Sequence, residues 1–443
     1  MNSAFGIHDS ALGFALSALL FGLPSSPWPL WFYGLAGLVL LQGFLSLIEG
    51  FRHYAFVVKA LREPISLDAR APKVAVIAPC KGIDPGLEGN LTALFELDYP
   101  DYQVIFVIAD ADDPARPVIE EVMRRNRGRS PLLVVAGASA GRSEKVNNLL
   151  HGLDRVSGGC EVFAFVDSDA RVRPDWLAAL VVPLTQLGVG AATGYRWYLP
   201  ERGGFWPALL SAWNGSVATT LGDHGRNFAW GGSTAIRRDT FDRFGVREQW
   251  SGAASDDYVL TRAVRTAGLR IVYAPRCLAL SREDVGLARL LEFTTRQIII
   301  TRVYHAQLWW LGIISHSLFN TVFFGGLALV AASLIWPLRE ASAPPTAQNP
   351  WASAAAALLG LIYLLGLLKG ALRLLAAREA LPAARNDVLS LWWMYCLLWP
   401  VVSLVFQYNF IKSATTRRIT WRGVCYELRS PGETVIRKKT DEG

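Results

Sequence analysis

Long apolar stretches stand towards both ends of the chain, and a more polar segment lies between them. Residues 28–48 contain no charged side chain, and a helix needs roughly 20 apolar residues to cross a bilayer. Three further apolar blocks, bordered by Trp and Tyr, follow at about 307–336, 351–368 and 388–411. Buried core helices are the alternative, but the length of these blocks and their lack of charge favour membrane spans. The pattern predicts a multi-pass membrane protein.

The membrane topology can be predicted only in part. The apolar stretch at 11–23 is shorter, so a second span, an interfacial helix and half of a hairpin all remain open for it. The first residues lack the basic region of a secretory signal, and we expect no cleavage there. Arg52, Lys59 and Arg62 follow the first long stretch, and the positive-inside rule therefore places the central segment in the cytoplasm.

The basic C-terminal tail raises a conflict with that rule. Three C-terminal crossings would put the tail outside the cell. Pro400 could instead break the last block into a re-entrant or interfacial hairpin. We favour a cytosolic tail that lies against the central domain.

The central segment has a different periodicity. Short runs rich in β-branched residues, at 74–79, 103–110, 132–136 and 162–167, alternate with stretches that have apolar residues at helical spacing. This alternation predicts an α/β domain with a mostly parallel sheet, covered on both faces, and ligands in such domains bind beyond the carboxyl ends of the strands. We divide the chain into N-terminal membrane segments at 1–51, a cytosolic domain at 52–302, transmembrane or interfacial helices at 303–411 and a basic cytosolic tail at 412–443.

Composition and charge narrow the class of protein. Of the 443 residues 52% are hydrophobic, and the formal net charge is +7. The positive charge is concentrated near the spans and in the tail, where a bilayer partner explains it better than a nucleic acid does. The five cysteines are scattered without a CxxC pair, which argues against a disulfide framework and against a structural zinc site.

Acidic residues recur where the predicted strands end. In FVDSDARV, residues 165–172, Asp167 and Asp169 leave an apolar run on either side of a serine. Mg²⁺ is usually held by one or two carboxylates plus phosphate oxygens, although an acidic turn that caps the next helix is the alternative. The acids of IADADDPA at 108–115 and SDDYVLTRAV at 255–264 would also suit helix N-termini. Together the three groups suit nucleotide binding, metal binding and general base catalysis, in that order along the chain.

The stretch CKGIDPGLEGNLTALFELDYPDYQVIFVIADADDPA, at 80–115, resembles the opening of ceramide glucosyltransferases, which are inverting enzymes related to the family-2 glycosyltransferases. EKVNNLL, FVDSDARVRPDWL, GGSTAIRRDTF and SDDYVLTRAV follow in the same order, and RRITWRGVCYELRS at 417–430 resembles that family's C-terminal segment. The resemblance implies a glycosyltransferase-A-type fold and transfer of a hexose, glucose from UDP-glucose, to the hydroxyl of a membrane lipid such as ceramide. The sequence is rich in Ala and Arg, which suggests a bacterial source and therefore a location in the bacterial inner membrane.

The resemblance also implies roles for single residues. Asp257 would be the general base, with Asp256 beside it, and inversion would follow from one base without a covalent nucleophile. Asp167 matches the family, and Asp169 completes a DxD pair for a divalent metal, Mg²⁺ or Mn²⁺. The nucleotide-sugar-binding residues would be Lys81, Asp110 or Asp112, Lys145, Asn147, Asn148, Asp167, Arg296, Gln297 and Arg302, and the acceptor-side residues would be Gly231, Gly232 and His224.

One motif of the family is missing. A (Q/R)xxRW motif usually precedes the C-terminal spans and contacts the diphosphate and the acceptor, but this sequence reads FTTRQIIITRVYHAQLWW at 293–310. Arg296 or Gln297 can match the first position, and Arg302 could supply the guanidinium, but Val303 then stands in place of Trp. A membrane-interface helix whose arginines pair with lipid phosphates is the alternative.

Other functions remain open. The acceptor could be a hopanoid or another isoprenoid lipid, or a diacylglycerol. A polysaccharide synthase is less favoured because few spans are available for a channel. The glycines of WGGSTAIRR at 230–238 could admit a substrate or only form a tight turn, and His224 could be structural. A non-catalytic membrane scaffold or transporter is the alternative of another class, but the acidic groups are intact and we expect no charged residue of the spans to line a pathway.

Overall fold

Seven strands of the central segment form one sheet. The computed structural model describes residues 28–67, 70–339 and 350–437, so the apolar stretch at 11–23 lies outside the described residues. The strands are β1 (Val74–Pro79), β2 (Tyr102–Ile108), β3 (Leu132–Val135), β4 (Val162–Val166), β5 (Val189–Leu199), β6 (Ser233–Arg237) and β7 (Arg270–Arg282).

The sheet is mostly parallel and confirms the predicted glycosyltransferase-A-type α/β fold. Its strand order is β3-β2-β1-β4-β6-β5-β7. Only β6, among the strands of this sheet that the structure describes, runs antiparallel to its neighbours β4 and β5. Every residue of β4 is buried, and so are the first five of β1, which explains why both strands have continuous apolar sequences.

Helices cover both faces of the sheet, and an apolar cluster lies on each face. The first helix and those of the domain are α1 (Trp28–Arg62), α2 (Leu87–Ala93), α3 (Arg116–Arg125), α4 (Glu144–Leu153), α5 (Trp176–Val181), α6 (Phe205–Ala218), α7 (Arg238–Arg243), α8 (Val246–Trp250), α9 (Asp256–Thr266) and α10 (Leu287–Tyr304), with 3₁₀ turns at Arg127–Arg129 and Val182–Thr185. Helix α4 packs directly on β1 because Gly152 has no side chain: a Cβ there would lie 2.7 Å from Cγ2 of Ile77.

Three helical segments within the described residues are long and apolar enough to cross a membrane: Leu30–Arg62, Ala306–Ser333 and Trp351–Ala380. Large apolar side chains such as Trp31, Leu41, Ile314 and Leu361 are exposed on their outer faces, as expected for helices that contact lipid. The second segment consists of α11 (Ala306–Asn320), a π-helical turn at Thr321–Gly325 and the start of α12 (Gly326–Arg339), and the third lies in α13 (Pro350–Ala380).

Contacts between these helices show in which direction each of them runs. Helices α1 and α13 run the same way, because Tyr33 near the start of α1 donates to the Trp351 carbonyl and Ser46 further along contacts Lys369. Helices α11 and α12 run the opposite way, since Gln42 of α1 donates to Ser315 at 2.5 Å while the earlier Phe32 packs against the later Gly326. If all three segments cross the bilayer, the chain after α13 returns to the side of the sheet domain.

The apolar block at 388–411 is not one of these spans. It is divided among α14 (Arg385–Ser390), a π-helical turn at Trp393–Leu397 and α15 (Trp399–Thr415), after a 3₁₀ turn at Pro382–Ala384. Pro400 lies in the first turn of α15, where a missing backbone N–H has no cost. The block is therefore not one continuous helix, and its helical segments meet near Pro400.

The tail forms a small antiparallel sheet of β8 (Arg418–Trp421), β9 (Val424–Ser430) and β10 (Glu433–Arg437). Ile419, Tyr426 and Leu428 of this sheet are buried against Ile299 of α10. The tail therefore lies against the domain, as predicted.

Candidate active site

A cavity of about 2580 Å³ extends from the carboxyl ends of β1 and β4 to the space between the membrane helices. It is larger than the roughly 300–1,000 Å³ of ordinary small-molecule pockets. We call one part the carboxylate end, which is lined by Lys145, Asp167, Asp169, Arg196, Asp256, Asp257 and Arg422, and the other part the membrane end, which is lined by Ser46, Phe319, Leu365, Lys369, Arg373 and Trp399.

Strand and helix ends deliver the carboxylates to this cavity. Asp167 follows directly after β4, at the carboxyl edge of the sheet. Asp256 and Asp257 occupy the first turn of α9, whose N-cap Ser255 accepts a hydrogen bond from the Tyr258 N–H at 3.2 Å. Helix α4 has a similar N-cap and brings Lys145 to the same place. Residues that are far apart in the sequence thus meet because parallel strands end at one edge.

Lys145 joins two of the predicted acidic groups. Its Nζ lies 2.8 Å from Oδ1 of Asp167 and 3.3 Å from Oδ2 of Asp256. Burial disfavours the charged form of Asp167, but Lys145 and Arg196 outweigh it and lower the pKa of this carboxyl. At Asp256 burial prevails over Lys145, and Asp257 adds to it, so that the pKa rises to about 6.

Arg196 is a site residue that the sequence interpretation missed. Its Nη2 lies 2.5 Å from Oδ1 of Asp169 and 3.0 Å from Oδ2 of Asp167, and its Nη1 lies 2.9 Å from Oδ2 of Asp169. Its guanidinium carbon also lies 5.0 Å from the ring centroid of Trp230. The available signal was a single charge in the otherwise uncharged strand VGAATGYRWYL at 189–199.

The DxD pair fits a cation, although it already holds one. Asp167 and Asp169 converge on one guanidinium, and all four of their oxygens accept hydrogen bonds from Lys145 or Arg196. Asp167 and Asp169 would be the residues to hold a divalent metal in place of Arg196, since hard cations prefer carboxylate oxygens. Within the described residues no group of three or more Asp, Glu, His or Cys side chains is arranged to hold a metal. A metal would therefore need oxygens from a ligand as well.

Asp257 faces the cavity, and one of its two carboxylate oxygens makes a single long contact. Its Oδ1 accepts hydrogen bonds from Ser255 Oγ and from the Tyr258 N–H, the latter at 2.8 Å. Its Oδ2 lies 3.5 Å from the backbone N of Gly231. Asp257 is thus oriented through Oδ1, and Oδ2 can accept a further proton or hydrogen bond.

The two glycines that were predicted on the acceptor side have a definite steric role. A Cβ on Gly231 would lie 2.0 Å from Oδ2 of Asp256 and 2.7 Å from Nζ of Lys145. A Cβ on Gly232 would lie 2.6 Å from Oδ2 of Asp167. The space that these glycines leave is therefore filled by the charged cluster.

The tail supplies part of the cavity wall. Arg422, with φ 45, lies in the turn between β8 and β9 and donates hydrogen bonds to the Lys81 carbonyl and, at 2.6 Å, to Oδ1 of Asp84. Asp84 also accepts from Ser168 Oγ at 2.8 Å, and Lys81 pairs with Glu144 at 2.7 Å. Asp84 and Arg422 were not predicted as site residues; the only signal for Arg422 was the resemblance of 417–430 to the family's C-terminal segment.

Several predicted nucleotide-binding residues lie elsewhere. Asp110 and Asp112 are exposed beyond β2, do not line the cavity and contact each other, with the Asp112 N–H donating to Oδ1 of Asp110 at 3.0 Å. Asp113 is buried instead and accepts from the Gly82 N–H at 2.8 Å. Asn148 lines the cavity, whereas Asn147 is buried beside it and donates to the Gly137 carbonyl at 3.3 Å.

The residues of α10 point in different directions. Arg296 and Gln297 line the cavity, and Arg296 donates to the Thr420 carbonyl of the tail at 3.1 Å. Arg302 does not line it: this side chain donates to the Ser413 carbonyl of α15 at 2.5 Å and stacks on Trp309. Arg302 thus turns away from the DxD pair. His224 does line the cavity, and its Nδ1 accepts from the Arg226 N–H at 3.3 Å.

The membrane end corrects one expectation. Helix α13 continues past the apolar block to Ala380, and its Lys369 and Arg373 line the cavity. The expectation that no charged residue of the spans would line a pathway is therefore wrong. The predicted apolar block at 351–368 stops before Lys369, its first charged neighbour, whereas the helix continues to Ala380.

Comparison with known proteins identifies the family of the chain. The sequence signature described as Glycosyl transferase family 21 matches residues 39–434. Ceramide glucosyltransferase 1 of Caenorhabditis elegans is 22% identical over 222 residues, which are 49% of this chain and 47% of that protein. Ceramide glucosyltransferase 3 of the same organism is 21% identical over 248 residues, 54% of this chain and 52% of that protein. The chain thus matches these curated relatives over about half of their length.

Among solved structures, a mannosyltransferase from Pyrobaculum calidifontis in complex with GDP-Man and Mn²⁺ is similar with a TM-score of 0.46 and 17% identity, covering 87% of this chain and 98% of that one. The family signature itself extends from α1 to β10. It confirms the resemblance found in the sequence: the chain belongs to glycosyl transferase family 21.

Proposed function

We propose that the protein transfers a hexose, glucose from UDP-glucose, to the hydroxyl of a membrane lipid, with ceramide as the acceptor that the resemblance favours. This proposal rests on the observation that the cavity is continuous. One space joins a charged cluster at the edge of an α/β sheet to apolar side chains of three candidate membrane spans. A polar donor and an apolar acceptor could thus meet without leaving the protein.

The charge of the carboxylate end supports a donor that arrives with a metal. The seven residues that define this end comprise four carboxylates and three cations, which give it a formal charge of −1 (Asp167, Asp169, Asp256 and Asp257 against Lys145, Arg196 and Arg422). A nucleotide diphosphate would add negative charge to this cluster. Asp167 and Asp169 would hold Mg²⁺ or Mn²⁺, and the metal would offset charge on the leaving diphosphate.

The chain's own cations would assist in the same region. Lys145 lies between Asp167 and Asp256, and Arg422 lines the same end of the cavity beside Asp84. Both can offer hydrogen bonds to phosphate oxygens, and such charge-assisted bonds are stronger than neutral ones. Arg296 and Gln297 line the same cavity and can contribute where the Arg-Trp motif is missing.

Asp257 is proposed as the general base. Its Oδ2 faces the cavity with one long contact, so it can take the proton of the acceptor hydroxyl as that oxygen attacks the anomeric carbon. Asp256 is held between Lys145 and the backbone of Gly231, which suits a residue that positions Lys145. One base without a covalent nucleophile would invert the configuration at the anomeric carbon.

The domain would act at the cytoplasmic face. Arg52, Lys59 and Arg62 lie in the last turns of α1, next to the sheet domain. The positive-inside rule assigns such residues to the cytoplasm, where nucleotide sugars are available.

The test is incubation of the purified full chain with nucleotide sugars and lipids, with and without Mg²⁺ or Mn²⁺. The sugars are UDP-glucose, UDP-galactose, UDP-N-acetylglucosamine and GDP-mannose, and the lipids are ceramide, diacylglycerol and a hopanoid alcohol. Mass spectrometry of the lipids should find a hexosylated product, and NMR should find the inverted anomer. Asp257→Asn should lose the product and Asp242→Asn, an exposed acid on α7, should keep it. Absence of any hexosylated lipid would contradict the proposal.

A further inference from the structure

Four tyrosines among the described residues line the cavity, and the hydroxyl of one of them is left without a partner. Tyr198, Tyr258 and Tyr426 each form a hydrogen bond within the protein, at 2.9, 2.7 and 3.2 Å in that order. Tyr195 is only 8% exposed, yet its hydroxyl forms no hydrogen bond with any residue that the structure describes. The hydroxyl oxygen is not fully enclosed, so it opens into the cavity. A buried hydroxyl without a partner is unfavourable, and we therefore expect a ligand group to bind it.

The ring of Tyr195 belongs to the apolar wall that leads to the membrane helices. Its centroid lies 6.0 Å from that of Phe228 and 5.7 Å from that of Trp230, and both of these rings also line the cavity. The same apolar cluster includes Trp213 of α6 and Trp309 of α11, and Trp309 lies in a candidate membrane span. The open hydroxyl is thus the polar end of a surface along which the apolar part of a lipid could pack.

The same side chain lies near the proposed general base. Trp230, which packs on Tyr195, directly precedes Gly231 in the sequence. The backbone N of Gly231 lies 3.5 Å from Oδ2 of Asp257. Burial raises the pKa of Tyr195, and among the smaller causes the negative charge of Asp257 raises it further. The hydroxyl therefore keeps its proton at neutral pH and can donate a hydrogen bond.

We propose that the hydroxyl of Tyr195 donates a hydrogen bond to the reacting hydroxyl of the acceptor lipid and so orients it toward Oδ2 of Asp257. An alcohol oxygen has two lone pairs, so one can accept from Tyr195 while the other attacks the anomeric carbon. The alcohol proton passes to Asp257, and the bond between the anomeric carbon and the diphosphate breaks with its electron pair leaving on UDP. The inference rests on the proposed function and adds a residue that recognises a neutral hydroxyl, such as that of ceramide.

The test removes this hydroxyl alone. Tyr195→Phe keeps the ring and its aromatic contacts, so the midpoint of thermal unfolding should stay at the wild-type value. The purified full chain is assayed with ceramide and UDP-glucose. The kcat/KM for ceramide should fall about threefold to tenfold, the usual effect of losing one neutral hydrogen bond, and the KM for UDP-glucose should not change.

A ceramide analogue with hydrogen in place of the reacting hydroxyl shows which part of the lipid Tyr195 contacts. As a competitive inhibitor, this analogue should have the same Ki in the wild type and in Tyr195→Phe, because it has no oxygen at the position that Tyr195 would bind. If Tyr195→Phe raised this Ki as much as it lowers kcat/KM for ceramide, the hydroxyl would contact another part of the lipid and the inference would be wrong.

Tyr102→Phe is the matched control, because Tyr102 is also a buried tyrosine but lies on β2 and does not line the cavity. It should keep the wild-type kinetic values. An unchanged kcat/KM for ceramide in Tyr195→Phe, or a rise in the KM for UDP-glucose alone, would overturn the inference while leaving lipid glycosylation intact. Absence of a hexosylated product from ceramide in the wild type would instead count against the proposed function.

Discussion

The two ends of the cavity carry charges of opposite sign. At the carboxylate end Lys145, Arg196 and Arg422 are all paired with aspartates, and carboxylates remain in excess. At the membrane end the hydrogen-bond partners of Lys369 and Arg373, among the described residues, are hydroxyl groups. The charges of the carboxylate end are thus already paired within the protein, whereas those of the membrane end have no carboxylate within salt-bridge distance among the described residues. The two ends therefore differ in how far their charges are neutralised before a ligand binds.

The largest effect is expected at Asp257, the proposed general base of the carboxylate end. Asp257→Asn keeps the shape of the side chain but cannot accept the proton, so kcat should fall roughly 10²- to 10⁴-fold. Asp256→Asn should affect the KM for the donor more than kcat, because Asp256 contacts Lys145. Steady-state kinetics with radiolabelled UDP-glucose would measure both. If Asp256→Asn were the variant with the larger loss of kcat, the roles of the two acids would have to be exchanged.

The next largest effect concerns the ion pairs that hold the DxD residues. Arg196→Met leaves Asp167 and Asp169 without their shared partner, which for a buried pair costs about 3–5 kcal/mol of unfolding free energy. Mn²⁺ should then bind more tightly, since no guanidinium competes for the carboxylate oxygens, and should recover part of the stability. Thermal denaturation and Mn²⁺ titration followed by electron paramagnetic resonance would measure the two effects.

Arg173→Met is the matched control for that experiment, because Arg173 pairs with Asp175 away from the cavity. It should not change the affinity for Mn²⁺. An unchanged Mn²⁺ affinity in Arg196→Met would mean that the guanidinium does not occupy the position of the metal.

A smaller effect should appear in the dependence of stability on pH. Burial raises the pKa of Asp256 to about 6, above the value near 4 of an unfolded chain, so folding favours its neutral form. The neutral form of Asp256 contributes on the order of 2 kcal/mol to the free energy of unfolding. This contribution is complete below about pH 4 and is lost as the pH rises to about 6. Asp256→Asn should remove this slope. Denaturant unfolding at pH 4, 5 and 6 would measure it, and an equal slope in wild type and variant would contradict the assignment.

The smallest expected effect is at the wall formed by the tail. Arg422→Ala removes the guanidinium that contacts Asp84 and should raise the KM for the donor about fivefold to tenfold, with little change in the KM for the lipid. Arg429→Ala, in the same small sheet but paired with Glu433, should leave both values unchanged. A shift in lipid KM alone would move the role of Arg422 from the donor to the acceptor.

Much of the fold could be predicted because it follows from periodicity. Runs rich in β-branched residues marked β1 to β4, and the strand ends located Asp167 correctly at the edge of the sheet. Contacts between distant segments could not be found in this way. Nothing near Arg196 or Arg422 indicates that one would reach the DxD pair across the sheet and the other would return from the tail to Asp84. The cations of α13 were missed because hydropathy ends a span at the first charge, whereas the helix continues.

The turn that carries Arg422 also has a consequence for biosynthesis. A ribosome makes this turn only after the whole sheet domain, both later candidate spans and α15 have been synthesised. The wall beside Asp84 therefore closes only when the membrane segments already exist and can be inserted. A nascent chain that has folded its sheet still lacks this wall of the cavity, so under the proposed function catalytic competence would be acquired only at the end of assembly.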